Sequence, residues 1–234
     1  MGTQQYDEIG EAFEGFKTLP LAHYAEVPGF LGLVGDVRGK SVLDLACGTG
    51  FYSRQFMRRG AREVLGIDIS GAMVAAAKEA ERRDPLGVRY EVGDVSALRP
   101  LGRRLDVAVA VQLLNYAKDV AAMERMCRAI HRSLATGAGF FLLAMAPGFR
   151  FDGPSPSAYG FLAEHTGEEA EAGPRVRVTA LLDPPIAFVS TLPRREVYEK
   201  CLRAAGFTEL TWEPLEVGGL PGQPPPMEML RCRA

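Results

Sequence analysis

Cysteine is scarce in this chain: four among 234 residues, Cys47, Cys127, Cys201 and Cys232, with no CxxC pair. That excludes a disulfide framework or a zinc ribbon and leaves four ordinary reduced thiols as the expectation. Long apolar runs are also missing. The longest, residues 105–117 and 134–147, are too short and too interrupted to cross a bilayer. The opening MGTQQYDEIGEAFE is acidic and has no apolar centre, unlike a signal peptide, and Tyr6 stands where a myristoylation signal needs Ser or Thr. There is no excess of positive charge either, with 27 Lys and Arg against 29 Asp and Glu and a net charge of −2. Such a chain has no electrostatic footprint for nucleic acid or an anionic membrane. A cytoplasmic protein with neither kind of partner is expected. Lysine itself is rare beside arginine, which together with abundant Ala, Gly and Pro reads as the coding bias of a GC-rich bacterium.

What is present is globular: 47% hydrophobic and 24% charged residues, enough to bury a core over one domain spanning 1–234. From residue 41 onward, apolar runs of strand length alternate with helical patterns. Strands are expected at 41–46, 63–69, 88–94, 105–114 and 139–146, and helices from about 51 to 59, at 71–83 and at 119–134. The strands are apolar at nearly every position, as in a parallel sheet covered on both faces. The predicted fold is α/β, a doubly wound, mostly parallel sheet. A further helix, 194–206, ends at a glycine. Two strands around the Gly/Pro-rich turn 218–226 would close the sheet as an antiparallel hairpin. Residues 1–38 form a predicted N-terminal helical cap. Residues 147–193 form a lid insertion, with PRVRVTALLD and IAFVSTLP expected to make a β-hairpin on top of the sheet.

The segment VLDLACGTG, residues 42–50, is a strand running into a glycine-rich turn and a helix. Gly48 and Gly50 let a ligand approach the backbone closely, and the helix beyond offers oriented N–H groups. A dinucleotide fingerprint would need Gly or Ala at position 53, which is Ser53. An acid, Asp44, lies inside the strand instead, and suits a ligand bearing an ammonium group better than a pyrophosphate. Asp68 ends the second strand, where an acid hydrogen-bonds a ribose hydroxyl; the competing role is a helix N-cap. Asp94 and the Val95 N–H, after the third strand, can bind an adenine amino edge, with Ile69, Met73 and Val95 sandwiching the ring. Three successive strand ends thus each offer an adenosyl-compatible group.

DLACGTG, GIDIS, VGD and LDVAVAVQLLNYA resemble motifs I, post-I, II and IV of class I S-adenosylmethionine (SAM)-dependent methyltransferases, in the right order. Within that superfamily the chain is similar to a small-molecule branch that includes toxoflavin-type N-methyltransferases. The shared features are YDEI near the start, GDVRGKSVLDLACGTGFYSR, RRDPLG, LLNYA, MCRAI and YEKCLRAAGF. The resemblance implies a seven-stranded Rossmann-like sheet and SAM as cofactor. Asp44, Ala46, Gly48 and Gly50 would hold the methionine portion, with Cys47 and Tyr6 beside it. Asp68 would take the ribose diol, Asp94 and Val95 the adenine, and Gln112 would lie beside the methyl. The implied acceptor is a bacterial small molecule, a secondary metabolite, with N-methylation of a heterocycle preferred over O-methylation. Gln112 replaces a frequent Tyr and AMAP at 144–147 an Asn-rich stretch, both near the expected acceptor pocket.

No metal is expected, because no carboxylate cluster stands after the fourth and fifth strands. The candidate bases Tyr6, His23, Tyr24 and Tyr116 each have a competing packing role; Glu164 and His165 lie in a solvated acidic run, and His131 near a helix end. No single one is favoured. Aromatics cluster outside the sheet, with Tyr6, Phe13, Phe16, Tyr24 and Phe30 before residue 31, and Phe149, Phe151, Tyr159 and Phe161 in the insertion. Phe13, Tyr24, Gln112, Phe149, Phe151 and Tyr159 are the candidate acceptor-binding residues, as walls around a planar, largely apolar molecule.

Overall fold

The structure is a computed structural model that describes residues 15–216 and 226–234. Seven strands form one sheet: β1 (Ser41–Leu45), β2 (Glu63–Asp68), β3 (Arg89–Val92), β4 (Leu105–Val111), β5 (Leu134–Met145), β9 (Thr208–Pro214) and β10 (Met227–Arg233). Their order is β3-β2-β1-β4-β5-β10-β9. The first five are parallel, and β10 lies antiparallel between β5 and β9. The strand order reverses between β1 and β4, which opens a crevice at their carboxyl ends.

Side chains alternate across the sheet and feed two cores. Leu43, Leu45, Ile67, Leu105 and Phe140 pack with Met123, Cys127 and Ile130 of α4 (Val120–Ser133), and with Tyr198 and Leu202 of α5 (Arg195–Ala205). Val42, Val64, Val107, Val109 and Leu143 face the other way. They meet Phe30 and Val34 of α1 (Val27–Val34), Phe56 of α2 (Phe51–Arg58), and Val74 and Ala77 of α3 (Gly71–Arg83). Covering on both faces is why β1 is buried at all five positions. Local chemistry sets the helix ends. Ser70 caps α3 by accepting from the Met73 N–H, and Asp119 caps α4 by accepting from the Ala122 N–H. Gly206 stops α5 with φ 108°.

An ion-pair buckle ties α2 to the far end of α3. The Arg54 guanidinium donates to Glu81 at 2.6 Å and to the Asp84 carboxylate at 2.6 Å. The second Glu81 oxygen accepts the Gly87 N–H at 2.6 Å, fixing the turn that enters β3.

The insertion holds one strand more than the expected hairpin. A third strand, β6 (Phe161–Ala170), joins β7 (Gly173–Ala180) and β8 (Ile186–Thr191) in an antiparallel sheet ordered β6-β7-β8. Its sequence, FLAEHTGEEA, reads as a solvated polar run because an edge strand exposed on most positions carries no apolar alternation. β5 begins five residues earlier than expected: Leu134 pairs with Leu105 before the register shifts to Gly139 opposite Val107. LATGAG, residues 134–139, is therefore an irregular first half of the strand. The expected turn 218–226 lies almost wholly outside the described residues. N-terminal to α1, the chain passes through a π-helical turn, Ala22–Glu26. No helix among the described residues is long and apolar enough to cross a membrane.

Candidate active site

The glycine turn after β1 is built on left-handed backbone: Ala46 has φ 57°, Gly48 54° and Gly50 87°. A Cβ on Gly50 would lie 2.3 Å from the Tyr90 hydroxyl, so only glycine fits above that ring. At the end of the neighbouring strand β4, Gln112 also has positive φ, 56°. Two non-glycine residues in this region, side by side on adjacent strands, mark stored backbone strain of the kind that gathers at functional sites.

Asp44 is fully buried beneath the turn, and the Ser53 hydroxyl donates to its Oδ2 at 2.6 Å. The serine that breaks the dinucleotide fingerprint thus has a specific role: it holds the acid that replaces it as the site's signature. Burial pushes the Asp44 carboxyl up to about 7; the Ser53 hydrogen bond opposes this, and the negative charge of Asp68 adds to it. A ligand ammonium beside it would favour the ionised form. Cys47 is buried, and burial first, then Asp44 and Asp68, raises its thiol well above the ordinary range, so it stays protonated.

Asp68 ends β2 and already serves the backbone. Its Oδ2 accepts the Gly48 N–H at 2.8 Å and its Oδ1 the Ser70 N–H at 2.9 Å. The cap of α3 is Ser70 rather than Asp68. Asp94 is exposed and caps the short turn Val95–Ala97 by accepting the Ser96 N–H at 2.7 Å. Of the expected ring sandwich, Ile69 is 44% exposed, whereas Met73 and Val95 are buried. Val92, at the end of β3, is 59% exposed and offers a second open apolar surface.

Beside these strand ends lies a cavity of about 540 Å³. Its floor includes Ala46, Cys47, Val111 and Gln112; its walls include Phe16, Phe51, Tyr52, Tyr159, Phe161 and Phe188. Phe16 and Phe188 meet with ring centroids 6.0 Å apart, joining the N-terminal segment to β8. Gln112 and Tyr159, both expected at the acceptor, line it, as does Tyr116. Tyr24 does not: it is 76% exposed, with the exposed His23 stacked edge-on against it. Phe149 and Phe151 pair with each other, and Phe151 with His165, outside the cavity. None of Tyr24, His23, Phe149 and Phe151 lines the cavity; His23 and Tyr24 are exposed, and Phe149 and Phe151 are half-buried. Tyr6 and Phe13 lie outside the described residues.

Several lining residues are absent from the sequence reading. Glu26, at the end of the π-helical turn, accepts from the Lys17 ammonium and, at 2.9 Å, from the Tyr52 hydroxyl. Lys17 also stands 4.5 Å above the Tyr52 ring. Burial, then the Glu26 charge, holds the Tyr52 hydroxyl protonated, well above its usual range. Nothing in KTLPLAHYAE marks these positions, because the pairing depends on where the helix is docked.

A sheet of order β3-β2-β1-β4-β5-β10-β9, with a glycine turn after β1 and acids ending the next strands, is the architecture of the class I methyltransferases. Residues 42–138 match the family described as "Methyltransferase domain". Among curated proteins, the chain is 31% identical over 94 residues to a "Ubiquinone biosynthesis O-methyltransferase" of Coxiella burnetii, covering 40% of each. The chain thus spans about 40% of the length of the curated relatives it matches. Over the whole fold it is similar to the CcbJ methyltransferase from Streptomyces caelestis (TM-score 0.71, 16% identity, 99% of this chain and 98% of that one). It is also similar to the [4+2]-cyclase SpnF (TM-score 0.67, 20% identity, 98% and 94%).

Proposed function

We propose that the protein is a SAM-dependent methyltransferase of a small molecule, and that the methyl goes to a nitrogen of a planar heterocyclic secondary metabolite. The observation that carries this reading is the junction of two sites: Ala46 and Gln112 belong both to the strained strand ends and to the floor of an aromatic-walled cavity. The residues fit the cofactor. Asp44 suits an amino-acid ammonium, Asp68 ends β2 where a carboxylate would meet a ribose diol, and Ile69 and Val92 leave apolar surface for a purine.

The cofactor, when bound, supplies a methyl group on a sulfonium. Charge disappears in such a displacement, so the chain contributes chiefly position and dryness, a gain of up to roughly 7–11 kcal/mol in favourable cases. The glycine turn and Asp68 fix the donor end. The aromatic walls exclude water and present flat faces to a ring. The Gln112 amide stands 3.7 Å from the Met227 sulfur, which holds it over the floor. Such walls suit a planar acceptor, as does the resemblance to heterocycle N-methyltransferases. The ubiquinone-pathway relatives favour the alternative, an oxygen acceptor, and the cyclase of the same fold favours a second one, a cofactor-binding protein without methyl transfer.

Calorimetry with SAM, S-adenosylhomocysteine and NAD is the first test. Binding of the first two alone is expected, and NAD binding without them would overturn the reading. Incubating small-molecule extracts with methyl-labelled SAM then separates the rest. Label on a heterocycle nitrogen supports the proposal, label on oxygen moves the acceptor, and no transfer despite tight binding favours the silent protein.

A further inference from the structure

Two polar atoms in the interior have no partner. Among the described residues, only the Asn115 Oδ1 and the Tyr198 hydroxyl are buried side-chain polar atoms without a hydrogen bond. Asn115 is 6% exposed and Tyr198 fully enclosed, so bulk water does not serve them. An orphaned polar group of this kind costs stability, and folds rarely keep one without a use for it. Both residues line the same cavity. That coincidence selects the cavity as the place where the two atoms find a partner.

Local structure fixes both side chains. Asn115 lies in the short turn Leu114–Tyr116 after β4, whose leading Leu114 is buried in the core shared with α4 and α5. Tyr198 lies in the first turn of α5, its ring set T-shaped against Trp212 with centroids 5.6 Å apart. A phenylalanine would make the same ring contact, so the hydroxyl is the feature to explain. Burial, then the Cys127 thiol, pushes that hydroxyl above its usual range, so it stays a neutral donor. The Asn115 Oδ1 can only accept. The charged side chains of the cavity, Lys17, Glu26, Arg54 and Arg58, are all engaged in ion pairs. What is left unanswered is one neutral donor and one neutral acceptor. An ion placed against them would be desolvated without compensation.

We propose that Asn115 and Tyr198 form a polar subsite of the cavity that takes a cyclic amide: the ring N–H donates to the Asn115 Oδ1, and the ring C=O accepts from the Tyr198 hydroxyl. A flat ring that carries both groups satisfies both orphaned atoms and leaves its faces to the aromatic walls. A ring without them leaves two buried polar groups unpaired, which is how a pocket rejects close analogues. This rests on the methyltransferase reading only for calling the cyclic amide the methyl acceptor.

Two variants and two probes test this. Tyr198→Phe and Asn115→Leu nearly keep the side-chain volume and remove the orphaned atoms. In the free protein, Tyr198→Phe should raise the melting temperature by about 2–4 °C, because it removes an unpaired hydroxyl and no bond. A lowered melting temperature would show that the hydroxyl already has a partner, a fixed water, and would overturn the assignment. The probes are carbostyril, a benzo-fused cyclic amide, and quinoline, the same frame without the amide, each titrated with and without saturating S-adenosylhomocysteine. The wild type should bind carbostyril about tenfold tighter or more. Each variant should lower that ratio about three- to tenfold and leave the affinity for quinoline unchanged. A wild-type ratio near one, a ratio that either variant leaves unchanged, or binding of neither ring overturns the subsite. Should Asn115→Leu fold poorly, the ratio for Tyr198→Phe decides alone. Failure of S-adenosylhomocysteine to bind, with the preference for carbostyril intact, would instead bring down the methyltransferase reading and leave the subsite standing.

Discussion

The two halves of the site are built on opposite plans. On the β1–β3 side, each group sits in a short continuous stretch of chain, and its carboxylates are already engaged by nearby hydroxyls or N–H groups: Ser53 with Asp44, Gly48 and Ser70 with Asp68, Ser96 with Asp94. The cavity side is a mosaic of Phe16, Tyr52, Tyr159 and Phe188, drawn from four distant segments and joined mainly by side-chain contacts. A half whose geometry is fixed by backbone tolerates little change. A half made of side chains can be recut without disturbing the sheet. This division lets one fold keep its donor while acceptors vary.

The contrast is open to attack, beginning where rigidity is greatest. Gly50→Ala places a Cβ against Tyr90 and an L-residue in left-handed backbone. It should cost about 3 kcal/mol or more of stability, read as a lowered melting temperature, together with loss of S-adenosylhomocysteine binding. A variant that melts and binds like the wild type would show that the turn is not rigid. Next is Asp68→Ala, which strips the turn of one anchor and the ligand of another. A fall in S-adenosylhomocysteine affinity of about 1–3 kcal/mol in a folded protein is expected, and unchanged binding would take Asp68 out of the site.

A pH titration sharpens the same side. The Asp44 carboxyl is raised to about 7 in the free protein, so the stability it contributes is complete below the ordinary carboxylate range and is lost as pH rises through about 7. A ligand ammonium favours the ionised form, so binding below that pH must release a proton. Affinity for S-adenosylhomocysteine should then fall by up to about tenfold per unit as pH drops below 7, and Asp44→Asn should flatten the profile. A flat wild-type profile would place the ammonium elsewhere. The smallest effect belongs to the rim: Tyr24→Ala, at a solvent-facing position, should alter stability and ligand affinity by less than about 0.5 kcal/mol. A larger change would bring the outer face of the N-terminal segment into the site.

The same division explains what could be read from the residues alone. The parallel strands and α3 were legible because double burial makes β1 and β4 apolar throughout and Ser70 caps a clear helical period. Asp44 and Asp68 stood out because each is an acid within or at the end of an otherwise apolar strand. β6 was not, since an exposed edge strand has a loop's composition, and Lys17 and Glu26 were not, since helix docking alone brings them together. Aromatic clustering pointed to segments that line the cavity but not to which of their members do: Tyr159 lines it, and Tyr24 and Phe151 do not. Phe16 and Phe188 face inward while Tyr24 and Phe151 do not, a matter of side-chain direction that composition does not carry.

The place of β10 has a consequence for synthesis. This strand pairs with β5 on one side and β9 on the other, so an interior stave of the sheet starts some eighty residues beyond the end of β5. Ribosomes extend a chain at about 5–20 residues per second, which leaves the outer edge of β5 unpaired for roughly 4–16 s after its last residue is made. That edge is flanked by Phe140, Leu142 and Leu143, an adhesive strip of open N–H and C=O groups in a nascent chain. Folding of this sheet is therefore completed only once β10 has been made. A premature stop anywhere after β5 should yield aggregates, not a smaller soluble protein.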